Sequence, residues 1–434
     1  MNKKNLMLQK NLLTKKILKT KRTGFVVIAA PLICLLSVLL LSSCSQKNPL
    51  TLNWEPDLQL VKQEMPQKEV SLKQNSARAA AFSRKIDEII GKLPDYDNDD
   101  QVTIDLSKAI ASLGQVHTNL ELTEEKVLPF RLYMWQGHLY VIDTLTGFRE
   151  VLYTELTKIN GHPVSAVMAQ LTDVISRDNE QGLLVNIPRY IIRPSILHGL
   201  GVIKNIDKVK LTFEQEDGTV IHKTVPPVSQ NDGTLNLISP YKDTLLSSIN
   251  SKRNYSFTNL SAEQTMYVAY NSCAEDSEYP VKRFVQDIKT SLKASPAQKV
   301  IVDLRANGGG NSRVIQPLMT SLSQDLVLKN HILVLIGRGT ASSAMMNASE
   351  FREELQAKLL GEPTNGDPNK PGEIQFLPLP ESGLTVIYST SEFHSPEVTD
   401  DALMPDIPVD YTISDYRQGI DPVLNAALAY RFQD

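Results

Sequence analysis

Two glycine-containing turns hold the residues whose types and spacing could do chemistry. One is Gly339-Thr340-Ala341-Ser342-Ser343-Ala344, which follows the apolar run His331 to Ile336. It opens a segment in which Ala344, Met345, Ala348, Phe351 and Leu355 recur at helical spacing. The pattern predicts a buried strand, a short turn and a helix, with Ser342 near the helix N-terminus. Free backbone N–H groups and the positive end of the helix dipole stabilise a developing oxyanion there, so Ser342 is a candidate nucleophile. The alternative is that Thr340 or Ser342 serves as an N-cap. The other turn is Arg305-Ala306-Asn307-Gly308-Gly309-Gly310, at the end of a strand running from Lys299 to Leu304. Three glycines let the backbone approach a ligand and aim N–H groups at it, or else form a flexible hairpin tip.

Together and in this order, the two turns resemble the C-terminal processing (tail-specific) serine peptidases and their relatives, including the tricorn core protease. In that family a D-L-R-x-N-x-G-G strand-turn precedes a T/S-A-S-[AS] nucleophile turn. Gly361-Glu362-Pro363-Thr364 and Pro405-Asp406-Ile407-Pro408-Val409 extend the likeness, the latter resembling the family's closing P-D-I-x-V. Upstream, Leu113-Gly114-Gln115-Val116-His117-Thr118 looks like the L-G-D-x-H-T segment of one branch. The resemblance covers the chain well from about Tyr267 to the C-terminus and more thinly before it. It implies a crotonase-like catalytic core of βαβ units.

A serine hydroxyl needs a base to take its proton. In the tail-specific branch that base is a lysine just after G-E-P-T; here Asp367 stands in its register and Lys370 comes three residues late. A normal carboxylate is too weak a base for a serine, so a Ser–Lys dyad does not carry over. The tricorn-like branch uses a histidine upstream of the core, which the resemblance assigns to His117. Imidazole titrates near neutrality and suits the task, and the rival reading of His117 is a structural loop histidine. Val116 replaces the serine that precedes the histidine in that branch. The resemblance places the orienting acid shortly before the closing P-D motif, where Glu397, Asp400 and Asp401 stand; distance favours Asp400 or Asp401 without separating them. It gives the oxyanion hole to the Gly309 and Ser343 N–H groups.

The elements that must position these residues follow from periodicity. Phe82, Ile86, Ile89 and Ile90 recur at helical spacing, as do Ile104, Leu106, Ala109, Ile110 and Leu113. Between them Pro94 to Asp100 breaks the chain and offers N-cap acids; it lacks the twelve-residue loop of a calcium site. From about Pro129 to Val225 the chain reads as short strands with turns at Gln136-Gly137, Asn160-Gly161 and Asp217-Gly218. The segment Leu156 to Val164 resembles the I-x-x-I-N-G-x-x-V strand of PDZ modules, which bind extended peptides at a sheet edge. From about Gln264 strands alternate with helices, which implies a largely parallel sheet covered by helices. The expected fold is α/β: a crotonase-like core over 229–434, a helical cap within 45–125 and a small β-rich, PDZ-like domain over 126–228.

At 434 residues, with 41% hydrophobic and 22% charged residues, the chain is globular and long enough for two or three domains. Its first 22 residues carry eight Lys and Arg and no acid, and Gly24 to Leu41 is almost wholly apolar, ending in Leu41-Ser42-Ser43-Cys44. This reads as a signal peptide over 1–44. The Leu-Ser-Ser-Cys box resembles a bacterial lipoprotein signal, in which Cys44 would be lipidated; the rival is an uncleaved membrane anchor. Cleavage leaves 37 Lys and Arg against 49 Asp and Glu, a charge near −12 that disfavours nucleic acid and anionic surfaces as partners. Of the three cysteines, Cys34 lies in the apolar run, Cys44 is the lipid candidate and Cys273 reads as a buried hydrophobe. No metal or cofactor is implied. The expectation is an exported, membrane-anchored lipoprotein of the cell envelope that hydrolyses peptide or protein substrates through Ser342, His117 and an acid. The alternative is a peptide-binding lipoprotein that kept the fold without catalysis.

Overall fold

The computed structural model describes residues 50–122, 126–229, 237, 245–246, 253–394 and 399–432. The candidate signal segment and Cys44 lie outside them. Helices α1 (Glu55–Lys68), α2 (Ser76–Lys92) and α3 (Asp99–Ala111) form because one stripe of each is apolar. The stripes meet in a core of Leu58, Val61, Met65, Phe82, Ile86, Ile89, Leu106 and Ile110. The α3 N-cap is Asn98, whose side chain accepts the Gln101 N–H at 3.1 Å, while Asp99 and Asp100 occupy the first turn. Asp99 accepts from Trp54 Nε1 at 2.8 Å and Asp100 pairs with His198 at 2.7 Å, so the acid cluster is structural.

Strand β1 (Asn119–Glu121) follows, and then the middle segment: β2 (Phe130–Trp135), β3 (His138–Thr144) and β4 (Glu155–Ile159). Three helices come next, α4 (Val164–Thr172), α5 (Glu180–Tyr190) and α6 (Pro194–Gly199). Strands β5 (Val209–Glu214) and β6 (Val220–Val225) complete an antiparallel sheet in the order β2-β3-β4-β5-β6. The strand-only reading of this region missed α4 to α6. Asn179 caps α5, and Val167, Leu171, Leu183 and Ile187 supply the apolar faces that pack on the sheet residues Val141, Leu211 and Phe213. The turn dipeptides dominated the sequence pattern, whereas burial against a sheet decides for helix.

The C-terminal core is a six-stranded sheet of β7 (Tyr255–Leu260), β8 (Thr265–Tyr270), β9 (Lys299–Asp303), β10 (Ile332–Ile336), β11 (Lys358–Gly361) and β14 (Ile407–Pro408). β7 joins antiparallel and every later pairing is parallel. Parallel neighbours require crossovers, supplied by α7 (Val281–Ala294), α8 (Gln316–Ser323) and α9 (Ser343–Leu355). Met266, Val268 and Tyr270 face these helices, while Tyr267 and Ala269 face α11 (Pro422–Ala429), which follows α10 (Ile413–Gln418). The sheet is therefore buried on both sides, as its near-continuous apolar strands require.

Between β11 and β14 a hairpin, β12 (Gly372–Pro378) and β13 (Thr385–Ser391), adds to β1 in the order β1-β13-β12. Leu377, Leu379, Val386 and Tyr388 from this hairpin complete the core of the helical cap. The described residues form one compact unit. The cap is closed by strands that lie more than 250 residues away in sequence, and this closure brings the α3–β1 turn to the core.

Candidate active site

The turn between β10 and α9 presents Ser342. Thr340 is fully buried; its hydroxyl donates to the Leu304 carbonyl at 2.9 Å and accepts the Gly337 N–H at 3.1 Å. The Ala341 N–H donates to the Asn307 carbonyl at 3.1 Å, tying the serine turn to the glycine turn. Ser342 occupies the N-cap position of α9, but its side chain makes no capping hydrogen bond. Its backbone sits at φ 51° and ψ −129°, a region L-residues rarely adopt and one that costs on the order of 1–3 kcal/mol. Strain held at one serine between a strand and a helix aims its hydroxyl outward, and here Ser342 Oγ lies 3.2 Å from His117 Nε2.

His117 reaches this position because its turn is pinned from three sides. From the cap, Ser71 Oγ accepts the Gln115 side-chain amide at 2.9 Å. From the hairpin, the Ser389 N–H donates to Thr118 Oγ1 at 3.2 Å. From the middle segment, Asp178 Oδ1 accepts the Val116 N–H at 2.7 Å. Gln115 and Thr118 are both buried, so these bonds form away from water. His117 Nδ1 is buried and has no hydrogen-bond partner among the described residues.

The glycine turn stands against Ser342. A Cβ on Gly309 would lie 2.7 Å from Ser342 Cβ and 3.1 Å from the Ser343 nitrogen. Gly309 has φ 110° and Gly310 φ 132°, values that favour glycine. Ser343 Oγ donates to the Gly310 carbonyl at 2.6 Å, so the residue after Ser342 braces the turn. The Gly309 N–H donates to Asn307 Oδ1 at 2.9 Å, and Asn307 in turn donates to the Tyr270 carbonyl at 2.9 Å. Of the two N–H groups expected to line an oxyanion hole, the one from Gly309 is thus engaged by a side chain in this state.

The remaining motif residues hold the frame. Arg305 donates to Asp303 and to Asp421 at 2.6 and 2.8 Å. Burial by itself would lower its pKa, but the two carboxylates hold the guanidinium well above its ordinary range. Thr364 Oγ1 accepts the Leu403 N–H at 3.0 Å, and Asp406 Oδ2 accepts the Leu359 N–H at 2.8 Å. Cys273 is buried, and burial pushes its thiol up from its ordinary pKa, as a structural residue requires. Asp367, in the register of the family lysine, accepts the Asn369 N–H at 2.8 Å through its own side chain.

Asp400 and Asp401 are exposed, and neither carboxylate has a described contact with His117. Glu397 lies outside the described residues. The carboxylate bonded to the backbone of the His117 turn is Asp178, from the loop between α4 and α5, which the sequence reading did not single out. Its Oδ1 accepts the Val116 N–H, its Oδ2 accepts the Asp367 N–H at 3.2 Å, and the charges of His117 and Lys370 act on it. No motif marks it; the only local sign is its place directly before the helix cap Asn179. Among the described residues no group of three His, Cys, Asp or Glu is placed to hold a metal ion, and no helix is long and apolar enough to cross a membrane.

No protein-family model matches the chain, and no curated protein matches it by sequence. Solved structures do match. A serine-to-alanine mutant of CPAF aligns at a TM-score of 0.58 and 13% identity, over 87% of this chain and 98% of its own. Mature CPAF complexed with lactacystin aligns at 0.54 and 12%, over 84% of this chain and 94% of its own. The photosystem II D1 C-terminal processing protease aligns at 0.41 and 14%, over 82% and 93%. At such identities the CPAF likeness shows a common fold.

Proposed function

We propose that the chain is a serine peptidase of the C-terminal processing kind that works through Ser342 and His117. The observation that carries this reading is the 3.2 Å approach of His117 Nε2 to Ser342 Oγ, between residues 225 positions apart. Ser342 Oγ attacks the peptide carbonyl as His117 Nε2 takes its proton. The same imidazole then gives the proton to the leaving amine, and water hydrolyses the acyl-enzyme by the reverse sequence. The Ser343 N–H at the head of α9 and the Gly309 N–H receive the oxyanion. On this reading the Gly309 N–H is drawn from Asn307 Oδ1 to the oxyanion as charge develops. Substrates are peptides or proteins, and neither a metal nor a cofactor enters the reaction.

The test is a double-mutant cycle of Ser342→Ala and His117→Ala on turnover of a peptide library, with fluorophosphonate labelling of the serine as a second readout. Each single change removes most of the rate and the double change costs little more, because the pair acts as a unit. Independent losses that add would make His117 structural. No turnover and no labelling would leave a peptide-binding protein on the same fold.

We also propose export and lipid attachment at Cys44, on the strength of the charged segment, apolar run and Leu41-Ser42-Ser43-Cys44 box. Mass spectrometry of the mature N-terminus decides this. A lipid-modified chain beginning at Cys44 supports it, and an intact chain beginning at Met1 in the membrane assigns a span instead.

A further inference from the structure

We infer that Asp178, a residue of the middle segment, is the positioning carboxylate of His117, the role for which the sequence offered Asp400 and Asp401. This rests on the Ser342–His117 reading and deepens it. If Nε2 accepts the serine proton, the resting imidazole carries its hydrogen on Nδ1. Proton transfer then makes an imidazolium, and its Nδ1 side is buried with no hydrogen-bond partner among the described residues. A cation formed in such a place needs an anion held close by.

Asp178 is built for that role. Its two oxygens are fixed by the N–H groups of Val116 and Asp367, at 2.7 and 3.2 Å, so the carboxylate cannot rotate away. The first of these bonds is to the residue directly before His117, which couples the carboxylate to the backbone that aims the ring. The second is to the residue in the register of the missing family lysine, which makes that segment a brace for the acid. Burial pushes the Asp178 carboxyl up from its ordinary range, while the two N–H groups and the charges of His117 and Lys370 act in the opposite direction. Its neighbour Asn179 donates to the carbonyls of Thr364 and Asp401 at 3.1 and 2.8 Å, fastening the same loop to the core. The core thus receives its nucleophile from its own β10–α9 turn, its base from the cap and its acid from the middle segment.

The experiment compares Asp178→Asn, Asp178→Glu, Asp400→Asn and Asp401→Asn in the full mature chain by peptide turnover, fluorophosphonate labelling and thermal melting. Asp178→Asn keeps the shape and at least one N–H acceptor but removes the charge. Its kcat is expected to fall roughly 100-fold with KM within about twofold, less than the loss of an aspartate bonded directly to its histidine. Asp178→Glu restores the charge and is expected to recover about tenfold of that loss, while the variants of the two exposed aspartates keep kcat within about threefold of wild type. Retained kcat in Asp178→Asn, no recovery in Asp178→Glu at an unchanged melting temperature, or a greater loss in Asp401→Asn or Asp400→Asn each overturns the assignment. A reactive wild type with an unaffected Asp178→Asn removes this inference alone; a wild type that neither turns over peptide nor labels removes the peptidase reading and this inference with it.

Discussion

Gly309→Ala isolates the geometry around Ser342. A Cβ at this position would stand 2.7 Å from Ser342 Cβ, whereas carbons in contact sit about 3.5–4.0 Å apart. Either Ser342 or the glycine turn must therefore move by about 1 Å. The Ala341 carbonyl and Ser343 nitrogen, each 3.1 Å from the same point, close the other directions of escape. Ser342 is already at 3.2 Å from His117, so a shift of that size breaks the contact, and misplacement by about 1 Å costs roughly 100-fold in rate. The φ of 110° adds a folding cost of about 1–3 kcal/mol, a drop of a few degrees in Tm for a chain of this size. Peptide turnover, fluorophosphonate labelling and a melt monitored by circular dichroism measure the three effects. Gly308→Ala is the control, because nothing lies within 4 Å of its Cβ, and it should behave as wild type. Wild-type labelling of a folded Gly309→Ala variant would refute the placement of the glycine turn against Ser342.

Thr118→Val leaves the Ser389 N–H without its buried acceptor and loosens the His117 turn; about 1–2 kcal/mol of stability and roughly tenfold in kcat should go, with KM little changed, read by denaturation and turnover. Arg305→Ala strands the Asp303 and Asp421 carboxylates and should cost about 3 kcal/mol, seen as a lower midpoint in urea. Asp367→Asn keeps an oxygen for the Asn369 N–H, so activity should stay within about threefold of wild type; a hundredfold loss would make that side chain a participant in the chemistry.

Legibility followed distance along the chain. The strands Met266 to Tyr270, Lys299 to Asp303 and Ile332 to Ile336, and the helix after Ser342, were readable because each has its own periodicity and its own turn. The helices α4 to α6 were not, because they are short and their apolar faces make sense only against the sheet that covers them. Asp178 was invisible for a related reason: it has no motif, and its partners Val116 and Asp367 lie 62 and 189 positions away. The carboxylates of Asp400 and Asp401 looked better placed by spacing alone, yet those residues stand in solvent.

The sequence by itself determined the two turns at the centre of the site. A buried strand, glycines and a following helix are local instructions, and they dictate where Ser342 and the Gly309 backbone must sit relative to their own elements. Only the tertiary structure decided what meets them. The Gly372–Ser391 hairpin closes the cap and carries His117 to Ser342, the middle segment fastens Asp178 to the backbone just before His117, and Asn307 takes the Gly309 N–H. Those contacts join segments far apart in the chain, and they arise from which apolar faces remain to be buried and which polar groups must then be satisfied, a balance set by the whole packed molecule.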